Sequence, residues 1–245
     1  MNTSSNLYVM GFAVTVCVVI STALAITANA LGPVQDAAAE FDRQKNVMMA
    51  AGLVQPGDTR SRAELEALYK AQVEEVVVDT ETGTVAPGKT AADVAAMKHA
   101  EDRLRYRVVA IGKTAAGKPS SYILPISGKG LWSTIYGYLA LEDDLTHVRG
   151  VTFYKHGETP GLGGECENPV WCATWRGKSI LDEQGHIVGI GVKKGHVDPS
   201  IPAEKEHKVD GLSGATITSN GITRFVKNDL ETFAKYMTAL RNKRE

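Results

Sequence analysis

An uncharged run near the N-terminus restricts the possible folds of this chain more than any other feature. No residue from Leu7 to Leu31 carries a charge, most are apolar, and the first charged side chain is Asp36. A helix needs roughly 20 such residues to cross a hydrocarbon core of about 30 Å. The sequence therefore predicts one transmembrane anchor in residues 1–32, followed by a globular domain over residues 33–245.

A cleaved signal peptide is the alternative, because residues 28–30, Ala-Asn-Ala, have the small-x-small form of a cleavage site. Residues 1–6 contain no basic side chain, however, and the run is longer than the roughly 7–15 apolar residues of a signal peptide. Both features favour a retained anchor.

The orientation of the anchor in the membrane is less constrained. Arg43 and Lys45 follow the run, so the charge rule alone weakly favours a cytoplasmic globular domain.

The composition is that of a globular protein, with 43% hydrophobic and 22% charged residues. A net charge of −1 gives no electrostatic reason to expect nucleic-acid binding. The three cysteines, Cys17, Cys166 and Cys172, lack the paired spacing of a zinc site, so no metal site is expected. For Cys166 and Cys172, a local disulfide and two free thiols both remain open.

Apolar periodicity and turn signals predict a fold of mixed helices and strands. The predicted strands are Glu75–Asp79, Arg105–Ile111, Ser121–Ile126, Thr134–Leu141, Val148–Lys155 and His186–Lys193. The predicted helices are residues 33–51, with Pro33 suited to a first helical position, and 61–69, 91–102, 168–181 and 219–241. This order favours an α+β domain in which helices flank an antiparallel sheet, preceded by the N-terminal transmembrane helix.

A stretch rich in hydroxyl groups and glycine lies just before the last predicted helix. Residues 210–219, Asp-Gly-Leu-Ser-Gly-Ala-Thr-Ile-Thr-Ser, hold four hydroxyl side chains, two glycines and one carboxylate. Small residues let a bulky group approach the backbone, and the free N–H groups of a helix N-terminus suit a phosphate. A plain loop with Ser219 or Asn220 as the helix cap fits this spacing equally well.

Two spaced blocks carry a resemblance to a known family. Asp210 followed by Ser-Gly-Ala-Thr at 213–216 resembles the flavinylation motif of the FMN-binding domain family, and His156–Gly163 resembles its flavin-contacting loop. Both blocks stand in this order behind one hydrophobic segment, together with Gly128–Trp132 and residues 163–169. The chain is therefore similar to the family of the C subunits of the Na+-translocating NADH:quinone reductases.

The resemblance implies a covalent FMN cofactor, esterified through its phosphate to the hydroxyl of Thr216. A threonine hydroxyl is a poor nucleophile without a base, and no obvious base is adjacent in sequence. The family accordingly implies a separate flavin transferase that moves FMN from FAD, with Asp210 and Gly211 belonging to the flavinylation motif. The residues expected to contact the cofactor are Ser213, Gly214, Ala215, Thr218, Glu158, Thr159, Gly161, Leu162, Gly163 and Trp132.

Several of these residues have ordinary structural explanations as well. Trp132 packs in a core or interface by default, and Glu158 as a lone loop carboxylate is expected to be solvated. The hydroxyl of Thr218 is compatible with local capping. No residue is assigned a catalytic role, because the redox chemistry belongs to the flavin.

By resemblance, the chain is an electron-relay subunit of a Na+-pumping NADH:ubiquinone oxidoreductase and has no complete activity alone. Its partners are the other membrane subunits. The family places it in a bacterial inner membrane with the globular domain on the periplasmic side, opposite to the charge rule. The alternatives are the G subunit of an Rnf-type electron transport complex, a nitrous-oxide-reductase regulator with the same domain, or a membrane-anchored scaffold domain without a cofactor.

Overall fold

The computed structural model describes residues 6–243 and forms two compact units, Met1–Arg43 and Gln44–Glu245. The first helix, α1 (Asn6–Ala50), begins in the first unit and ends in the second. In the described chain it is the one helix long and apolar enough to cross a membrane, a test that a signal sequence would also pass. Pro33 lies inside α1, so the expected first helical position there was wrong.

The second unit is built on a six-stranded antiparallel sheet in the order β2-β1-β3-β4-β5-β6. These strands are β1 (Val73–Asp79), β2 (Thr84–Val85), β3 (Tyr106–Lys113), β4 (Pro119–Lys129), β5 (Thr134–Glu142) and β6 (Val148–Lys155). A separate parallel pair is formed by β7 (Gly191–Val192) and β8 (Lys208–Val209). The antiparallel sheet confirms the predicted fold class, and five of the six predicted strands lie within or overlap strands of this six-stranded sheet.

Helices surround this sheet in the order of the chain. They are α2 (Arg62–Gln72), α3 (Ala91–Ala96), α4 (Ala100–Arg105), a 3₁₀ helix (Gly163–Glu167), α5 (Pro169–Ala173), α6 (Pro202–His207), α7 (Thr216–Thr232) and α8 (Ala234–Asn242). Ser61 caps α2 through the expected capping box with Glu64. The single helix predicted over 91–102 is instead the two short helices α3 and α4.

The C-terminal end of α1 covers one face of the sheet. The cross-strand partners Ala110, Ile123, Ala140 and Gly150 follow one another across four strands and therefore share a face. A Cβ added to Gly150 would lie 2.5 Å from the carbonyl oxygen of Ala50. Arg149 Nε donates to the carbonyl oxygen of Ala51 at 2.7 Å. Close contact of backbone with backbone thus fixes residues 46–51 on this face.

Helix α7 covers the opposite face and determines where the candidate site lies. Tyr122, Leu124 and Ile126 alternate along β4 and are buried in one cluster with Ile222, Phe225, Val226 and Leu230 of α7. Burial of each large apolar side chain contributes about 1.5–3 kcal/mol. A Cβ at Gly128 would lie 2.2 Å from Phe225 Cβ, so the helix lies directly on the end of β4. The start of α7 is thereby placed beside the turn after β4.

The helix predicted over Asn168–Leu181 was wrong in extent. Only α5 (Pro169–Ala173) forms, because the chain then pairs with β6. The N–H of Gly177 donates to the carbonyl of Val148, and the N–H of Val148 donates to the carbonyl of Lys178, both at 2.8 Å. These long-range hydrogen bonds replace the helical ones.

The strand predicted over His186–Lys193 was also wrong, apart from its last residues. The N–H groups of Val188 and Gly189 both donate to the carbonyl of Ile180, which folds this segment into a compact turn. Gly191 and Val192 pair in parallel with β8, and Ile187 makes an isolated antiparallel bridge with Leu181.

The last predicted helix, over 219–241, begins earlier and is interrupted. Helix α7 starts at Thr216, and the chain leaves it at Phe233, whose N–H donates to the carbonyls of Asp229 and Leu230. Phe233 is fully buried. The break allows α8 to change direction while this ring stays in the core.

Cys166 and Cys172 are free thiols in the structure. Both are buried, and the Cys172 thiol donates to the carbonyl of Cys166 at 3.3 Å. Burial raises the pKa of each thiol to about 12. Neither is a reactive thiolate at neutral pH, and both act as small buried side chains.

Candidate functional site

The fold brings the two sequence blocks into direct contact. The loop after β6 carries residues 156–163, and the loop before α7 carries residues 210–215. A Cβ added to Gly163 would lie 2.8 Å from the hydroxyl oxygen of Thr218, and one added to Gly214 would lie 2.7 Å from Cδ2 of Leu162. Only glycine allows these approaches, which explains the glycines of both blocks.

Glu158 joins the two blocks to the turn after β4. Its carboxylate accepts hydrogen bonds from the backbone N–H groups of Leu131 (3.2 Å), Trp132 (3.0 Å) and Ser133 (3.2 Å). It also accepts one from the hydroxyl of Thr218 on α7, at 2.6 Å. With only 5% of its surface exposed, Glu158 is a buried connector, and the expectation of a solvated loop carboxylate was wrong.

These hydrogen bonds determine the ionisation of Glu158. Burial on its own would raise the pKa of this carboxyl, but the hydrogen bonds from Thr218 and from the backbone of residues 131–133 outweigh it and hold the pKa below its usual value. Glu158 is therefore a carboxylate at neutral pH. A buried negative charge with four donors holds three chain segments together.

Thr216 is the first residue of α7 and is exposed. Its neighbours Ser213 and Gly214 are exposed as well, whereas Ala215 is buried. The residue before the helix is Ala215, and within residues 6–243 no side chain caps this N-terminus. The expected cap at Ser219 or Asn220 was wrong, since both lie inside α7. The Thr216 hydroxyl thus stands free beside backbone donors.

Three segments joined to the start of α7 carry exposed large apolar side chains, which we call the apolar surface. Trp132 is 67% exposed, Leu162 43% and Ile217 60%. Trp132 is held through its backbone N–H by Glu158, and Leu162 touches Gly214. Exposed large side chains on such fixed backbone suit the face of a flat aromatic ring. Sequence reasoning missed Ile217, although an apolar residue in a polar first turn was a visible signal.

The turn of the first block is closed by its own backbone. The carbonyl of Thr159 accepts hydrogen bonds from the N–H groups of Leu162 (3.1 Å) and Gly164 (2.9 Å). Thr159 and Gly161 are exposed, whereas Gly163 is buried. These two hydrogen bonds close the turn, and the turn presents the exposed side chain of Leu162.

Asp210 is fixed on the other side of Thr216. One carboxylate oxygen lies 2.9 Å from His196 Nδ1, and the other accepts the N–H of Val197 at 2.7 Å. The hydrogen bond to His196, followed by that from Val197, lowers the pKa of the Asp210 carboxyl. Its carbonyl accepts the indole N–H of Trp171 at 2.8 Å. A Cβ at Gly211 would lie 2.1 Å from the carbonyl oxygen of Lys193, so this position of the motif also needs glycine.

A cavity of about 550 Å³ opens beside Thr216, and we call it the basic cavity. It is lined by Val192, Lys193, Lys194, Gly195, His196, Gly211, Leu212, Ser213, Gly214, Thr216, Ser219 and Asn220. The segment 192–196 supplies its basic wall and was not singled out from the sequence. Across residues 6–243 no cluster of three or more metal-ligating side chains occurs.

The donors and shapes around Thr216 suit a flavin nucleotide. The exposed Thr216 at an uncapped helix start lines the basic cavity, and the apolar surface is carried by segments in contact with the same helix start. The helix start and the basic cavity suit a phosphate, and the apolar surface suits a flat ring.

The contact between the two blocks gives a direct prediction. Gly214 has φ of +66°, so Gly214→Ala places a Cβ in left-handed backbone, which costs about 1–2 kcal/mol, and also displaces Leu162. We expect a larger loss of unfolding free energy than for Gly117→Ala. Gly117 has φ of +77° and no atom within 4 Å of an added Cβ, so it isolates the backbone cost. Equal losses in urea denaturation of the two variants would show that Leu162 does not press on Gly214.

Comparison with protein-family models matches residues 130–231 to the FMN-binding domain. The C subunit of the Na(+)-translocating NADH-quinone reductase of Pseudomonas aeruginosa is 43% identical over 239 residues, covering 90% of each chain. The protein of the same name from Vibrio parahaemolyticus is 36% identical, covering 87% of this chain and 85% of that one.

Solved structures agree with these sequence matches. Shewanella oneidensis NqrC superposes with a TM-score of 0.68 at 31% identity, covering 84% of this chain and 99% of that one. The structure of the C subunit of the Na(+)-translocating NADH-quinone reductase from Parabacteroides distasonis gives a TM-score of 0.66 at 29% identity, covering 81% and 93% of the two chains.

Proposed function

Because this chain belongs to the family of the C subunits of the Na+-translocating NADH-quinone reductases, we propose that it is a membrane-anchored electron-relay subunit with FMN esterified to Thr216. The observation that carries the attachment site is the position of Thr216. It is exposed at the uncapped start of α7 and lines the basic cavity, and the exposed side chains of Trp132, Leu162 and Ile217 are carried by segments joined to that helix start. FMN supplies one- and two-electron transfer when bound.

The protein's own residues position the ring and exclude water from one side of it. Leu162 lies on a closed turn, and the backbone of Trp132 is held by the buried Glu158. Because the ester prevents the cofactor from dissociating, a shallow apolar surface is enough to orient the ring. A shallow site leaves an edge open for electron exchange with a neighbouring subunit.

Attachment requires a second protein in this proposal. The Oγ–phosphorus bond of Thr216 forms as the phosphoanhydride bond of FAD breaks, AMP leaves, and the hydroxyl proton passes to a base of the flavin transferase. The motif residues Asp210 and Gly211 are held rigidly beside the acceptor by His196, Val197 and the Lys193 backbone. A rigid acceptor loop suits recognition by an enzyme.

The chain's place in the cell follows from α1 and from the family. The apolar part of α1 serves as a single membrane anchor, and residues 33–245 form the FMN domain. We propose the periplasmic side of a bacterial inner membrane for this domain, with the other subunits of the reductase as partners in the bilayer. The weak charge bias from Arg43 and Lys45, which follow the uncharged run within α1, does not outweigh the assembly with those partners.

Mass measurement on protein from the native host tests the proposal. The peptide bearing Thr216 is expected to carry one FMN, bound through phosphate, and the intact protein to be yellow. A colourless protein at its unmodified mass, isolated from cells that contain the transferase, would leave the cofactor-free scaffold as the better interpretation.

A further inference from the structure

The basic side chains that line the basic cavity have no role in the attachment of FMN as described above. Its lining includes Lys193, Lys194 and His196 but, in the described chain, no carboxylate side chain. Lys193 forms an ion pair with Glu204, and the ring of His196 lies 2.9 Å from the carboxylate of Asp210. Lys194 is exposed and has no ion-pair partner among residues 6–243. One uncompensated ammonium group therefore stands at the wall of this cavity.

The opposite wall is formed by the start of α7. This helix has 17 residues, and its first turn has no side-chain cap in the described chain. Its free N–H groups and the positive end of its dipole favour an anion.

A buried hydroxyl in the same wall lacks a partner. Ser219 lines the cavity one turn after Thr216, is 4% exposed, and its Oγ has no hydrogen-bond partner within residues 6–243. Leaving a buried hydroxyl without a hydrogen-bond partner is unfavourable, so a ligand atom that bonds to it is favoured. Ser219 and Thr216 share a helix face because they are three residues apart.

We propose that the basic cavity is a phosphate-binding site in which Lys194 supplies the charge and the Ser219 hydroxyl and the first N–H groups of α7 supply hydrogen bonds. The inference rests on the proposed function, and it names residues that hold the phosphate next to the acceptor hydroxyl. That phosphate belongs either to the tethered FMN or to the AMP that leaves during transfer.

Binding to the flavin-free chain tests the site without the transferase. The probes are free FMN and riboflavin, which differ by one phosphate, and the protein is the full chain in detergent, made without the transferase. Wild type is expected to bind FMN about tenfold more tightly than riboflavin, the effect of one charge-assisted hydrogen bond. Lys194→Met and Ser219→Ala are expected to reduce that ratio. Equal affinity of wild type for the two probes would overturn the proposal.

Lys118→Met is the matched control. Lys118 is also exposed, but it lies in the hairpin before β4, at the opposite end of that strand from the site. The Lys118→Met variant should leave the ratio of the affinities for FMN and riboflavin unchanged. If it lowered the ratio as much as Lys194→Met, net charge rather than a site would be responsible, and the proposal would fail.

Attachment kinetics with purified transferase distinguish the two sources of phosphate. If the tethered FMN occupies the cavity, the flavinylated Lys194→Met protein shows lower flavin fluorescence anisotropy than wild type. If AMP occupies it, the flavinylated proteins are alike, while added AMP inhibits attachment to wild type and not to Lys194→Met. The proposal is contradicted for both sources of phosphate if Lys194→Met and Ser219→Ala both show wild-type attachment rates and wild-type anisotropy, and if AMP affects attachment to these variants as it affects attachment to wild type. A wild type that never acquires FMN instead contradicts the proposed function and leaves the binding test valid.

Discussion

Thr216→Ala is expected to abolish covalent flavin attachment completely, leaving a colourless protein at its unmodified mass. The hydroxyl of Thr216 is exposed at the first position of α7 and supplies the oxygen of the proposed ester. The neighbouring hydroxyl of Thr218 cannot replace it, because Thr218 is buried and donates to Glu158. Mass spectrometry of the peptide that spans residues 210–224 measures the outcome.

Thr216→Ser is the matched control for this loss. It keeps a hydroxyl at the same position and should retain the adduct. An exposed first-turn substitution should change the unfolding free energy by at most about 0.5 kcal/mol, so unfolding of both variants should resemble that of wild type. FMN found on the Thr216→Ala peptide would place the acceptor elsewhere in the chain.

Glu158→Ala is expected to lower the free energy of unfolding by roughly 3–5 kcal/mol, because one buried and three partly buried donors lose their acceptor, and a buried donor left unpaired costs about 1–3 kcal/mol. The donors are the backbone N–H groups of residues 131–133 and the Thr218 hydroxyl. Urea denaturation of the full chain in detergent measures the change. Glu183→Ala, at an exposed carboxylate, should alter it by no more than about 0.5 kcal/mol. Similar losses for the two variants would contradict the connector role of Glu158.

The same carboxylate gives a pH dependence with a defined sign. Its pKa is lowered in the folded protein, so its contribution is fully present above the unfolded pKa of about 4.3 and is lost as pH falls through the lower folded value. Glu158→Gln keeps the shape and removes this titration. The difference in unfolding free energy between wild type and Glu158→Gln should therefore shrink as the pH falls below about 4.3. A difference that stays constant with pH would show that ionisation of Glu158 does not stabilise the site.

Much of this molecule was predictable because the relevant information is local. The uncharged run in α1, the alternation along β4 to β6 and the capping box at Ser61 are each contained within one short segment. Thr216, as the proposed acceptor, and the glycines of the two blocks were predicted from a family resemblance, and the matched FMN-binding domain agrees with that family. These features depend on residue type and spacing alone.

The errors occurred where distant segments compete with local preference. Residues 177–178 leave the predicted helix because their backbone pairs with Val148, and residues 188–189 leave the predicted strand because they bond to Ile180. Hydrogen bonds between segments far apart in sequence outweigh weak helix and strand propensities.

The sequence by itself determined that the chain has a membrane-length apolar helix, an antiparallel α+β domain and a hydroxyl suited to a phosphoester. Only the tertiary structure decided that Glu158 is a buried connector, since its four donors lie 25 to 60 residues away along the chain. It also decided that residues 192–196 complete a basic cavity beside Thr216. The reason is that burial and electrostatic partners depend on which segments the packing of α7 against β4 brings together, and no local pattern records that pairing.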